Sequence, residues 1–201
     1  MTAANTERNN AGAEPCTPVR KKRRLLPKIL LGLAALVGIL AIVVAVQPAE
    51  FHVSRSATIA APPASVFEQV NDLQRWQAWD PWAKKDPNCQ TSFEGPSSGQ
   101  GAGFHWSGNS EVGEGSLTIT ESKPHELIRI KLDFVRPFAG TNDVEFTFKP
   151  VGDQTAVTWT MNGQKNFITK AVGLVMNCEK MCGDEFDKGL ASMKAVAEKG
   201  R

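Results

Sequence analysis

The most constraining stretch of this 201-residue chain is its last thirty-odd residues, 166–198, where apolar side chains recur at Phe167, Ala171, Leu174, Val175, Cys178, Cys182, Phe186, Leu190, Met193 and Ala197. Steps of three and four residues place them along one side of a helix. Lys170, Glu179, Lys180, Asp184, Asp187, Lys188, Lys194 and Glu198 fall mostly on the other side. At roughly 1.5 Å per residue such a helix runs to about 45 Å, longer than a small domain needs for a connector. Its apolar stripe requires a partner surface, and the residues before it supply one. Gly173, Gly183 and Gly189 interrupt the pattern. Each costs roughly 1 kcal/mol against alanine, so a bend or break is predicted, placed at Gly183.

The preceding residues read as strands. Alternation over 51–59 ends at Ala60-Ala61-Pro62-Pro63, where proline suits the first turn of a helix. A short helix over 64–71 follows, with Val66, Phe67 and Val70 inward. Residues 73–82 are predicted to form a second short helix or turn, carrying Trp76, Trp79 and Trp82, three of the five tryptophans. Six strands come next, at 89–93, 103–106, 112–120, 127–134, 143–149 and 155–161. The links Ser107-Gly108-Asn109, Lys123-Pro124-His125 and Val151-Gly152-Asp153 are short enough for antiparallel neighbours.

Strand alternation assigns two faces. One carries Phe104, Trp106, Leu117, Ile119, Ile128, Ile130, Leu132, Phe134, Val144, Phe146, Phe148, Val157, Trp159 and Met161. The other carries His105, Ser116, Thr118, Arg129, Lys131, Asp133, Glu145, Thr147, Lys149, Thr158 and Thr160. The fold class expected is therefore α+β: a curved antiparallel sheet whose apolar, aromatic face is closed by the C-terminal helix. Large aromatics beneath a single helix either leave an apolar pocket suited to a small ligand or interdigitate and fill it.

The other end of the chain is built for a different solvent. Residues 1–24 have almost nothing to bury and are expected to be a disordered basic tail, ending in Arg20, Lys21, Lys22, Arg23 and Arg24. Residues 29–46 then carry no charge at all, and with Leu25, Leu26 and Pro27 and a snorkelling Lys28 they meet the length of a membrane-spanning helix over 25–47. A cleaved signal sequence has a shorter apolar run and a small-x-small cleavage site. Ala45-Val46-Gln47-Pro48 is a poor one, which favours an uncleaved anchor. Six basic residues before the span, with only Arg55 soon after it, put the N-terminus in the cytoplasm. The domain at 51–199 is then extracytoplasmic.

Net charge is only +2, which gives no general case for nucleic acid. The four cysteines lack the spacing of a redox pair, a zinc knuckle or a disulfide scaffold. Cys89, Cys178 and Cys182 are expected to be buried free thiols, with a bridge from Cys89 to a helix cysteine as the alternative. Three scattered histidines make no metal cluster, and Gly99-Gln-Gly101-Ala-Gly103 leads into a strand rather than a helix, which argues against a phosphate loop. No cofactor is indicated, and oligomeric state is left open.

Face assignment puts His105, Arg129, Lys131, Asp133 and Glu145 on the wet side, so the cavity is expected to lack titratable groups. Arg55 is the exception, since it shares parity with Val53, Ala57 and Ile59. Inward, it could clamp a carboxylate or phosphate. Asp80, between Trp79 and Pro81, is assigned to capping a turn, and Asn109 to forming one. Trp76, Trp79 and Trp82 suit the core, a cavity rim or a membrane interface.

The residues Phe51-His-Val-Ser-Arg-Ser, Ala61-Pro-Pro-Ala-Ser-Val-Phe67, Trp76-Gln-Ala-Trp79-Asp-Pro-Trp82 and Gly183-Asp-Glu-Phe-Asp-Lys-Gly-Leu190, in this order, resemble the SRPBCC superfamily, and in particular its polyketide cyclase/dehydrase-like branch. The resemblance spans 51–199 and implies the helix-grip fold of START lipid-transfer domains. It also implies a deep cavity between sheet and long helix for a hydrophobic or amphipathic small molecule. Only some members of this branch are enzymes, and fold does not settle chemistry. The expected function is membrane-anchored binding of a hydrophobic or lipid-like molecule. Trp76, Trp79, Phe104, Trp106, Phe134, Phe146, Trp159, Met161, Phe167 and Arg55 are expected to line the site, with no catalytic residue assigned. The alternatives are a cyclase/dehydrase-like enzyme in the same cavity, and an interaction module whose cavity is filled by its own aromatics.

Overall fold

A computed structural model describes residues 25–199; the expected disordered tail at 1–24 and Cys16 lie outside the described residues. Helix α1, Leu25–Ala45, is apolar apart from Lys28 in its first turn. Over Leu26–Ala45 it is the one described helix long and apolar enough to cross a membrane. The chain divides into two compact units, Met1–Ala41 and Ile42–Arg201.

The second unit is a seven-stranded antiparallel sheet in the order β1-β7-β6-β5-β4-β3-β2. Its strands are β1 Glu50–Ile59, β2 Gln90–Glu94, β3 Gly103–Ser107, β4 Glu114–Lys123, β5 Leu127–Arg136, β6 Gly140–Val151 and β7 Gln154–Gln164. The first strand pairs with the last, Arg55 opposite Trp159 and Glu50 opposite Gln164. This long-range closure brings the start of the domain to the helices that follow β7. Between β1 and β2 lie α2, Pro63–Asn71, and a 3-10 turn at Arg75–Ala78. Pro63 opens α2 and Val66, Phe67 and Val70 are its buried face. The sheet order and the two faces agree with the expected α+β helix-grip arrangement.

Two helices, not one, follow the sheet: α3, Phe167–Gly173, and α4, Cys178–Lys199. The break falls at 174–177, not at Gly183. Two asparagines account for it. Asn166 Oδ1 accepts the Thr169 N–H at 2.9 Å, capping α3, and Asn177 Oδ1 accepts the Lys180 N–H at 2.9 Å, starting α4 anew. Gly183 and Gly189 remain inside α4, because the absence of a Cβ there is what permits close packing. A Cβ on Gly183 would sit 2.1 Å from Arg55 Nη2, and one on Gly189 would sit 2.8 Å from Trp159 Cζ3. Tertiary contact thus overrides helix propensity at both positions.

The core lies between the inner sheet face, α2 and α4. Phe146, Phe186, Leu190, Met193, Ile119, Ile128, Ile130 and Val157 are all buried there, each supplying about 1.5–3 kcal/mol on burial. Phe186 of α4 stacks on Trp159 of β7 with ring centroids 3.8 Å apart and planes within 8°. On the other side of Trp159 lies Phe146, at 4.9 Å. This three-ring stack joins helix and sheet. The outer face carries paired charges, with Arg129 held by Glu121 at 2.8 Å and by Glu145 at 3.0 Å.

Candidate functional site

The aromatics do not fill the space they enclose. A cavity of about 610 Å³ opens between the inner face of β3–β7, the segment after α2, and the first turns of α4. That volume falls in the range typical of small-molecule sites. Its sheet wall is apolar, with Phe104, Trp106, Leu117, Ile130, Leu132, Phe134, Val144, Trp159 and Met161 contributing. Alternation explains the wall directly, since every one of these residues shares the inward parity of its strand.

Of the ten residues expected to line a ligand site, six stand in the wall of this cavity: Trp76, Phe104, Trp106, Phe134, Trp159 and Met161. Trp79 and Phe146 lie behind the wall as buried core, 1% and 0% exposed. Trp79 gives its indole N–H to the Gln69 carbonyl at 2.9 Å and packs edge-on against Trp159. Phe167 stands outside the cavity, 56% exposed at the start of α3, because the early break turns that helix away from the apolar stripe. Arg55 does face α4, as its parity indicated, but it does not reach the cavity. Its Nε donates to Asp187 Oδ2 at 3.0 Å and its Nη1 to the Ser54 carbonyl at 2.8 Å. The guanidinium is occupied in fixing β1 to α4.

The expectation that the cavity lacks titratable groups is overturned. Sheet alternation could not reveal them, because they arrive from the 73–89 segment and from α4. Asp80, Lys85 and Asp86 come from the first, Asp184, Glu185 and Lys188 from the second, and Glu111 from the β3–β4 loop. Asp80 Oδ1 accepts the Trp82 N–H at 3.1 Å, the turn-capping role assigned from sequence, while its side chain also forms part of the wall. Burial pushes its carboxyl up to about 6, with the negative charge of Glu185 adding to the shift. Burial acts on Glu185 in the same direction, but hydrogen bonds from Lys85 and Lys188 outweigh it and hold that carboxyl below its usual value. Glu185 Oε1 lies 2.9 Å from Lys85 Nζ and 3.0 Å from Lys188 Nζ. One sequence signal was available: an i,i+3 Glu185–Lys188 pair whose acid sits next to the buried Phe186.

Polar satisfaction in the wall is uneven. Trp76 and Trp106 give their indole N–H groups to the Val70 and Val112 carbonyls at 2.9 and 3.0 Å. Trp159 Nε1 and Glu185 Oε2 are the two buried side-chain polar atoms without a protein partner among the described residues. Asn109, expected to form a turn, accepts the N–H groups of Glu111 and Val112 through Oδ1. The three described cysteines are free thiols: Cys89 and Cys182 are part-buried in the wall, while Cys178 is exposed rather than buried.

The chain's likeness to known proteins agrees with this geometry. Solved structures with the same fold include proteins from Mesorhizobium loti (12% identity, TM-score 0.56, covering 75% of this chain and 99% of the other) and Chromobacterium violaceum (14%, 0.55, 73% and 96%). The Aha1 dimer from Colwellia psychrerythraea is similar too (16%, 0.54, 75% and 98%). At such identities the likeness shows the fold alone. None of the curated proteins compared matches the chain. The sequence profile described as polyketide cyclase / dehydrase and lipid transport matches residues 50–198, the whole of the sheet and its helices. The chain therefore belongs to the polyketide cyclase/dehydrase and lipid-transport family, within the helix-grip SRPBCC fold.

Proposed function

We propose that this protein is a membrane-anchored binder of a hydrophobic or lipid-like small molecule, held in the cavity between sheet and α4. The observation that carries the reading is the cavity itself: about 610 Å³, walled mainly by aromatic and aliphatic side chains, in a domain stabilised independently by the core behind it. An interaction module with a filled interior is disfavoured by that open volume. The apolar α1, whose one charge is Lys28 near its start, and the basic residues before it support an anchor with a cytoplasmic N-terminus. Leu174, Val175, Met176 and Met181 are exposed, and Met181 is part of the cavity wall, which suits a ligand entering from an apolar phase.

The test is native mass spectrometry of the full chain purified from its own host, with organic extraction of the bound fraction. A co-purifying apolar molecule that is lost in Trp106→Ala and Met161→Ala variants supports the reading. An empty cavity that takes up no member of a fatty-alcohol, fatty-acid and terpenoid panel refutes it. The anchor has a separate check: the chain should resist carbonate extraction from membranes, and a mature N-terminus near Pro48 would show a cleaved signal instead.

A second reading, a cyclase/dehydrase-like enzyme, is favoured by one observation. Asp80 and Glu185 share a cavity while their environments push their carboxyls in opposite directions, the arrangement that separates a general acid from a charged partner. Conversion of the extracted ligand by the wild type, and not by Asp80→Asn, would establish it.

A further inference from the structure

Exposed apolar side chains outside α1 gather at one elbow of the chain. Of the eleven exposed large apolar side chains described beyond α1, six fall between Phe167 and Met181, and a seventh, Val46, follows α1 directly. None of the seven residues of α3 is buried, and Val175, in the link to α4, is 88% exposed. Single exposed apolar residues are ordinary, but a contiguous group marks a surface that meets a partner. Phe167, Ile168, Leu174, Val175 and Met176 carry this one, and Lys170 is the only charge among residues 167–176.

Three ties hold that elbow to the end of α1. The last turn of α1 belongs to the same compact unit as the sheet, and Val44 there is the one buried residue of Leu26–Ala45. Lys170 Nζ of α3 donates to the Ala45 carbonyl at 3.4 Å, a cation set at a helix C-terminus. The Lys165 N–H, two residues before α3, donates to the Ala49 carbonyl at 2.6 Å. The next pair, Glu50 and Gln164, begins the β1–β7 ladder. A helix of the twenty residues Leu26–Ala45 is about 30 Å long. That is the thickness of a bilayer's hydrocarbon core, so such a helix, crossing a membrane, ends where the head groups begin. A side-chain contact and a backbone hydrogen bond hold the start of the elbow at that level.

We propose that residues 167–176 form a second membrane contact: Phe167, Ile168, Leu174, Val175 and Met176 sit in the interfacial layer of the bilayer that α1 crosses, and lipid is what covers them. This rests on the anchor reading above and adds a surface of the domain to it. A segment lying in the interface sinks its apolar side chains about 5–10 Å while its cations stay among the head groups, the place Lys170 takes beside the Ala45 carbonyl. A partner protein would have to displace lipid already present at this level. Two contacts fix the domain's orientation, where a single span leaves it free to swivel. Met181, in the first turn of α4 and part of the cavity wall, then stands on the lipid side of the cavity.

The test places the full chain in phosphatidylcholine nanodiscs, with a fraction of the lipid carrying a trifluoromethyl-phenyl diazirine on its acyl chain. Lipid adducts are mapped by mass spectrometry after irradiation. Three segments are compared: α1, residues 167–176, and the β6–β7 turn at Val151. Val151 is 52% exposed but lies at the far end of β7, about 34 Å along the strand. Labelling of 167–176 is expected at least about fivefold above that at Val151, as for a segment seated in the interface. Val175→Asn with Met176→Gln should cut labelling of 167–176 about threefold or more, because interfacial binding follows the apolar area buried. It should leave α1 labelling and the unfolding midpoint unchanged, and Val175→Leu with Met176→Leu should keep the label. If α1 is labelled while 167–176 stays at the Val151 level, or if the polar pair leaves its label intact, the second contact is overturned and the anchor stands. Discs loaded with two chains test the other occupant: cross-links between copies through 167–176, without lipid adducts, assign the patch to a second copy and also overturn the inference. No label on α1 refutes the anchor, and the second contact with it.

Discussion

Asp80→Asn is expected to stabilise the domain at neutral and alkaline pH. Asparagine keeps the shape of the side chain and the oxygen that accepts the Trp82 N–H, but removes the charge. In the folded protein burial raises the Asp80 carboxyl from 3.8 to about 6. A carboxyl raised on folding binds its proton more tightly in the native state, so its contribution to stability is fully present below about pH 3.8. It is lost as pH rises through about 6, and above that the charged group opposes folding. A difference of about two units corresponds to at most about 3 kcal/mol, since each unit is about 1.4 kcal/mol and Asp80 keeps some contact with solvent. For a domain of this size that is roughly 6–10 °C in Tm. The assay is thermal unfolding of wild type and variant, followed by tryptophan fluorescence at steps from pH 4 to pH 8. Taking the difference at each pH cancels the carboxylates that shift the other way, among them Asp133 and Asp184, both lowered by side-chain hydrogen bonds. The expected difference is near zero at pH 4 and grows through pH 6 to a plateau. A variant no more stable than wild type at pH 8, or one displaced equally at every pH, would falsify the assignment of Asp80 as a buried, charge-averse group.

Four further outcomes follow from the packing. Phe186→Ala removes the ring stacked at 3.8 Å on Trp159 and should lower unfolding stability by about 3–5 kcal/mol in a denaturant titration; a loss below about 1 kcal/mol, the level of a surface site, would contradict its place in the core. Gly115→Ala brings a Cβ to 2.5 Å from the Asp133 carbonyl and 2.6 Å from the Trp106 ring, so a loss of about 1–3 kcal/mol is expected from overpacking, with Trp106 emission shifted. Gly183→Ala should be close to neutral in wild type, where helix propensity gained is offset by the displaced Arg55. In an Arg55→Ala background the same change should stabilise by about 1 kcal/mol, and equal effects in both would remove the packing rationale for Gly183. Cys178, exposed, should alkylate well before Cys182, whose thiol burial pushes up to about 12; peptide mapping after brief iodoacetamide treatment reads the order directly.

The sequence by itself determined the sheet, its two faces, the membrane-length helix and the existence of an apolar cavity wall. Each is a property of periodicity, and periodicity is local: a strand's inward parity is decided by its own alternating side chains. That is why Phe104, Trp106, Phe134, Trp159 and Met161 could be placed by inspection. Tertiary structure decided what stands between neighbours far apart in the chain. Whether Trp79 and Phe146 face the cavity or the core depends on which rings pack against Trp159, and alternation is silent on that. Arg55 had the correct parity, yet its role was set by Asp187, a partner on α4. The helix break went to Asn177 because a side-chain cap replaced a backbone preference, while Gly183 and Gly189 stayed helical where Arg55 and Trp159 needed their missing Cβ atoms. The acidic end of the cavity was hidden for the same reason. Asp80 and Glu185 lie about a hundred residues apart in sequence, and only the closing of α4 over the tryptophan-bearing segment brings both carboxyls to one wall, where burial and two lysines drive their proton affinities apart.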